Sequence, residues 1–261
     1  MANFLTSTQR HLWMFPASQL AETRREVNQR TVDAIRQHEA AGEGPGQLDG
    51  GGAGEAAPCD MLTVEEEAAL IVFYQQKIQE TCAGFKFPHK LQATSIVFHK
   101  RFYLVHSVMD YHPKNVMLTC IYLACKSEEV YVFAEEFCKR LGQDPKVVLD
   151  LELVVLQALK FHLIVFHPYR SLDGLLQELG TTLELRGVAR DAEAVRAMGQ
   201  SAVYYLDNLM LTDAIFFHPP GQGALAALRY SARKCGLWGH IESHVHELVQ
   251  RAAGLAGASA G

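Results

Sequence analysis

Two charges stand where a purely apolar core would not place them. Lys126 closes Leu123-Ala-Cys-Lys-Ser-Glu-Glu129, the end of a segment that is apolar around its whole circumference. Glu152 opens Leu151-Glu-Leu-Val-Val-Leu-Gln-Ala-Leu-Lys-Phe161. Taken singly, each has an ordinary reading. A lysine neutralises a helix C-terminus, and a glutamate occupies the wet side of an amphipathic helix. If the two helices pack side by side, however, a fixed cation and a fixed anion share the edge of an apolar surface. Such a pair can read the end of a partner's helix, the cation taking carbonyls and the anion taking N–H groups.

Other groups with chemical potential are weaker. Cys120 or Cys125 with a histidine could form a nucleophile pair, but burial in an all-apolar helix raises a thiol's pKa and removes access. His240 and His244 share a helix face and His246 follows, yet no carboxylate or cysteine stands at matching spacing, so no metal is expected. Gly221-x-Gly223-x-x-Ala226 resembles a relaxed dinucleotide fingerprint with Ala214–Phe217 as its strand, but Pro219-Pro220 interrupts the required turn. The glycines between 42 and 58 lack the Lys-Ser/Thr ending of a phosphate loop. Neither a cofactor nor a catalytic group is expected.

Composition narrows the partners. With 24 Lys and Arg against 29 Asp and Glu, the net charge is −5, so there is no general cationic excess to track a phosphate backbone and direct nucleic-acid binding is not expected. The most apolar run, Val116 to Cys125, is far shorter than the roughly 20 residues that cross a bilayer, and no membrane association is expected. Six cysteines without C-x-x-C spacing and no signal peptide read as reduced thiols in an intracellular protein.

The elements that must position these residues are helices. Pro16 opens a polar helical stretch from Ala17 to Glu39, with Leu20, Val27, Val32 and Ile35 at rough helical spacing, suited to a docked and largely exposed helix. Residues 41–60 are a Gly-rich flexible linker. Thr63-Val-Glu-Glu66 is a capping box that starts a helix running to about Cys82. Leu91–Val105 is a second helix, with Ile96, Val97, Phe98, Phe102 and Tyr103 buried. Pro113 starts a third, the apolar one, which its neighbours must surround. Phe133–Leu141 is a fourth, and Asp144-Pro145 caps a fifth that ends near Phe161.

A slide of about 107 residues pairs Phe98 with Tyr205, Phe102 with Leu209, Leu104 with Leu211, Pro113 with Pro220, Leu118 with Leu225 and Ile121 with Leu228. The expectation is an all-α protein made of two copies of one helical unit. The residue blocks are 1–40 for the N-terminal segment and helix, 61–165 for the first unit, 166–250 for a second, truncated unit, and 251–261 for a disordered Ala/Gly tail.

Lys100-Arg-Phe-Tyr-Leu104, then Met117 through Glu129, then Leu151-Glu-Leu through Leu159-Lys-Phe161, resemble the signature of a cyclin box. Further stretches are similar to the cyclin H family: Arg10-His-x-Trp13-x-Phe15 with Leu20, Val108-Met-Asp-Tyr-His-Pro113, Phe161-His-Leu-Ile-Val165 with Pro168-Tyr-Arg170, and Leu211-Thr-Asp-Ala214. The resemblance covers most of residues 4–238 and fails in the linker.

It implies tandem five-helix cyclin folds, the second incomplete, preceded by an N-terminal helix. The implied role is non-catalytic: a nuclear regulatory subunit that binds and activates cyclin-dependent kinase 7, joined by a RING-finger assembly factor and acting within general transcription factor H. By motif position, Lys126, Glu152 and Glu129 match kinase-contacting charges. Leu123, Leu156, Phe161 and Leu163 match apolar contacts to the kinase's mobile C helix, and Trp13, Phe15 and Leu20 anchor the N-terminal helix. Lys100 replaces the Asp that cell-cycle cyclins pair with a buried arginine, and Ser127 replaces a Phe. The first helix lacks the Met-Arg-x-x-Leu run of a substrate-docking groove. The family would continue beyond Gly261 through a last helix of the second fold and a C-terminal helix.

Overall fold

The computed structural model describes residues 3–41, 61–185 and 192–258, and every regular element among them is helical. The chain divides into two units, Met1–Val165 and Phe166–Gly261. The expected linker falls on residues outside the described ones, apart from the cap of the preceding helix at Ala41.

In the first unit a short 3₁₀ turn at Phe4–Thr6 precedes α1 (Thr8–Leu12), α2 (Ala17–Ala40), α3 (Val64–Phe85), α4 (His89–Phe102), α5 (Pro113–Ser127), α6 (Ala134–Arg140) and α7 (Pro145–Ala158). Local chemistry explains the starts. Thr63 accepts from the Glu66 N–H while Glu66 accepts from the Thr63 N–H, closing the capping box. His112 and Asp144 cap helices with Pro at the first position.

The apolar α5 packs against α3, α4 and α7, as its surround requires. From Val116 to Cys125 every residue of it is buried. The second helix differs from expectation, since it buries both faces from Leu91 to Phe102, including Thr94, Ser95, His99, Lys100 and Arg101. The N-terminal helix α2 buries Leu20, Val27, Thr31 and Val32 and exposes most of the rest. Polar bonds fix it in place. Asn28 donates to the Leu62 carbonyl at 2.8 Å, Thr31 to Asp110 at 3.1 Å and Arg30 to the Val105 carbonyl at 2.5 Å.

The second unit contains α8 (Pro168–Leu185), α9 (Ala192–Leu211), α10 (Ala214–Phe217), α11 (Pro220–Lys234) and α12 (Trp238–Ala258). Its central helix is α11, packed on α9 and α8. α11 begins at Pro220 as α5 begins at Pro113, which is the 107-residue offset read from the sequence. Gly223 faces α9, where a Cβ would meet Leu209 at an ordinary contact distance of 3.4 Å. Ala214–Phe217 is a helical turn, so no strand precedes the Gly221 run and the dinucleotide fingerprint stays rejected.

The expectation of a disordered tail over 251–261 is also corrected in part: α12 continues to Ala258, and residues 259–261 lie outside the described ones. Alanine's helical propensity carries the backbone where the apolar pattern runs out.

Candidate functional site

The expected charge pair exists. Lys126 Nζ lies 2.6 Å from Glu152 Oε1, joining the end of α5 to the second turn of α7, with the side chains 47% and 20% exposed. The Lys126 ammonium also lies 4.6 Å from the centre of the Tyr122 ring. Partial burial alone would lower its pKa, but Glu152 and Tyr122 outweigh that and hold it above the ordinary lysine value. Lys126 is thus a fixed cation with spare donors at the protein surface.

The segments that carry the pair, α7 with the chain after it and the loop after α5, expose more apolar side chains than the sequence indicated. Phe161 is 60% exposed. Leu156 and Leu163 are half-buried. Leu149 and Leu153 on the outer face of α7, and Tyr131 and Phe133 in the loop after α5, are exposed as well. Those last four escaped the sequence reading. Leu149, Leu153 and Leu156 recur at helical spacing and could have been found, whereas the loop aromatics carry no periodicity.

Leu123 is 2% exposed, most of its side chain packed into the core. In an all-apolar helix nothing in the sequence separates the inner positions from the outer ones. Glu129 is exposed with φ at 58°. Its neighbour Glu128 does the anchoring, accepting from Thr94 at 2.7 Å and pairing with Lys90 at 3.5 Å. That positions the loop carrying Tyr131 and Phe133.

The far end of the edge is a backbone corner. α7 stops at Ala158, short of the expected Phe161, because Lys160 and Phe161 adopt φ values of 53° and 58°. Two consecutive non-glycine residues in the left-handed region persist only where surrounding bonds hold them. Here Phe161 N–H donates to the Leu156 carbonyl and His162 N–H to the Leu159 carbonyl, both at 3.0 Å.

Trp13 and Leu20, expected as anchors, are buried at 5% and 2%, and Phe15 is half-buried. Trp13 anchors on a charge. Its ring lies 4.8 Å from the Arg101 guanidinium, which also donates to the His162 carbonyl at 3.1 Å. Lys100, where an acid would have paired with an arginine, is itself buried.

The thiols and histidines lie as follows. Cys120 and Cys125 are buried, and burial pushes the Cys125 thiol up to about 12 and that of Cys120 higher still. His244 faces Glu178 at 3.4 Å, His240 and His246 are exposed, and no group of three or more metal-ligating side chains occurs among the described residues.

Comparison with known proteins bears on the domains and the family. Residues 66–164 match the model of the cyclin N-terminal domain and residues 167–253 that of the cyclin C-terminal domain. The chain is 42% identical over 238 residues to Cyclin-H1-1 of Arabidopsis thaliana, covering 88% of this chain and 70% of that one. With Cyclin-H of Xenopus laevis it shares 35% over 197 residues, covering 72% of this chain and 58% of that one.

Among solved structures it resembles a chain of the Chaetomium thermophilum CAK complex bound to ATP-gamma-S, with a TM-score of 0.80 and 28% identity, covering 97% of this chain and 75% of that one. It also resembles a chain of the yeast TFIIK (Kin28/Ccl1/Tfb3) complex, with a TM-score of 0.67 and 28% identity, covering 87% and 85%. Two cyclin domains in tandem, in these two helical units and at these identities, mean that the chain belongs to the cyclin H family.

Proposed function

We propose that this chain is the regulatory subunit of a CDK-activating kinase, binding and activating a cyclin-dependent kinase 7-type catalytic subunit through the edge built on Lys126 and Glu152. The observation that carries the reading is that ion pair, half in solvent and set in a border of exposed apolar side chains. The family supports it, since its solved relatives occur in CAK and TFIIK complexes.

The physical mechanism is differential binding. A protein kinase works only when its strand lysine is paired with the C-helix glutamate. A cyclin that binds this conformation better than the open one shifts the population, and its whole contribution is that difference in affinity. Moving from mostly inactive to mostly active takes on the order of 5 kcal/mol. An apolar patch and a few charge-assisted bonds of roughly 1.5–3 kcal/mol each suffice. The chain contributes no reacting group: it positions the kinase's own.

The finer parts of the reading are that a RING-finger assembly factor joins the pair, that the trimer serves general transcription factor H, and that it phosphorylates RNA polymerase II and other cyclin-dependent kinases in the nucleus. The yeast relative sits in a complex of Kin28, Ccl1 and Tfb3, and that three-part assembly supports a third partner. Mixing the purified chain with cyclin-dependent kinase 7, with and without the assembly factor, tests the pairing, the third partner and the polymerase-directed activity. A stable complex with raised phosphorylation of a polymerase C-terminal repeat peptide is expected. No complex in either mixture, or retention of the chain on DNA at physiological salt instead, would overturn it.

A further inference from the structure

Arg101 is an unusual arginine. It is 1% exposed and its Nε has no partner. What meets the guanidinium is the face of Trp13 on one side and the His162 carbonyl on another. Trp13 in turn donates its indole N–H to His162 Nδ1 at 3.2 Å, the two rings meeting edge to face. Three residues from the N-terminal segment, α4 and the chain after α7 thus close a loop of contacts spanning 149 positions in sequence. His162 is the residue that follows the two left-handed residues, one of which is the exposed Phe161.

We infer that Trp13, Arg101 and His162 form a latch by which the N-terminal segment fixes the corner at Lys160 and Phe161 and so presents Phe161 to the kinase; this rests on the function proposed above. Energetics favour the assignment. A left-handed conformation at two consecutive bulky residues is costly and must be offset by its surroundings. The local bonds after α7 offset part of that. The remainder comes from His162, whose carbonyl and ring are both held by groups from distant segments. A buried guanidinium with no carboxylate partner among the described residues is itself costly unless its donors and face are engaged. Burial pushes it down to about 9, still cationic at neutral pH. Without Trp13 the arginine loses its aromatic cover and His162 its donor together, so both restraints on the corner weaken at once. Trp13 is therefore a positioning residue that touches no kinase, acting through His162 on a residue that does.

The test uses the full chain. Trp13→Ala and Trp13→Phe, the latter keeping a ring over Arg101 but removing the N–H, are compared with Phe161→Ala and with the double variants. Two quantities are read: affinity for cyclin-dependent kinase 7, and amide hydrogen exchange at residues 161–163 in the free chain. Trp13→Ala is expected to raise the dissociation constant about tenfold and to speed exchange at 161–163 ahead of α5. Trp13→Phe should give a smaller change of the same kind. In the Phe161→Ala background the Trp13 effect on affinity should largely vanish, because the corner then has nothing to present. Unchanged exchange at 161–163 in both Trp13 variants would overturn the latch, and so would fully additive losses of affinity. Should Trp13→Ala not fold, Trp13→Phe carries both readouts. If Phe161→Ala and Lys126→Ala leave affinity untouched, the kinase reading fails, while the exchange data still decide whether the latch exists.

Discussion

Lys126→Ala and Glu152→Ala separate what the ion pair does for the fold from what it does for a partner. In the free protein the two groups are 2.6 Å apart but 47% and 20% exposed, so solvent screens them and their mutual contribution stays within about 1 kcal/mol. For a chain of this size that moves the melting temperature by roughly 2–4 °C. In the proposed complex the same pair would lose its water, and removing one member would leave the other charged and buried, at a cost of about 2–5 kcal/mol. The dissociation constant should therefore rise by about 30-fold to several-thousand-fold while the melt hardly shifts. Because the Lys126 pKa is raised, the pair's contribution is complete below the ordinary lysine pKa and is lost only as pH climbs through the higher folded value. Binding should thus be insensitive to pH on account of Lys126 anywhere near neutrality. Titration calorimetry of each variant and of the double variant, beside their thermal melts, measures both sides. The double variant should lose little more than the worse single one, the sign of a coupled pair. Wild-type affinity in both single variants, with normal melts, would refute the reasoning and return the pair to a surface ornament of the fold.

Removing residues 1–40 should lower kinase activation and also cost on the order of 5 kcal/mol of stability, since Trp13, Leu20, Val27 and Val32 are all buried; an unchanged melt would show that the segment is only loosely docked. Burial pushes the imidazole of the fully buried His99 down to about 3, so its contribution is complete above about pH 6.5 and is lost as pH falls, at roughly 1.4 kcal/mol per unit. Urea midpoints between pH 7 and 5 should show that slope, and His99→Leu should flatten it. Among the described thiols, Cys235 should react first with a disulfide reagent while Cys82, Cys120 and Cys125 wait for unfolding, since these three are buried; rapid native modification of Cys120 would reopen a nucleophile role. Hydrogen exchange should be slower in α5 than in α11, because α5 buries large side chains along its length whereas α11 buries Gly223, Ala224, Ala227, Ser231 and Ala232 beside Leu228; equal protection would show that small-residue packing holds the second unit as firmly.

What the sequence made legible follows from how local each cause is. The starts of α3, α5, α7 and α11 were readable because a cap or a proline acts within its own turn, and the chain carries those signals at Thr63, Pro113, Asp144 and Pro220. The end of α7 was not. Lys160 and Phe161 turn left-handed without a glycine to announce it, since the force that holds them comes partly from Arg101, 61 residues away from His162. Leu123 and Phe161 make the same point from opposite sides. Both are large, apolar and near a charge, yet one is core and the other surface, and only the packing of α5 against three neighbours decides which. Lys126 and Glu152 were legible for the converse reason. A charge inside an apolar run is costly to bury unless its surroundings engage it, and Lys126 and Glu152 reach the surface where Lys100 and Arg101 do not. An edge recognised through its charges but gripped through its apolar border divides its labour in the same way. In the proposed complex the pair would set register and exclude wrong partners, and Leu149, Leu153, Phe161 and the loop aromatics would supply area. Substitutions among those apolar residues should therefore erode affinity gradually, whereas the loss of one charge should act at a single stroke.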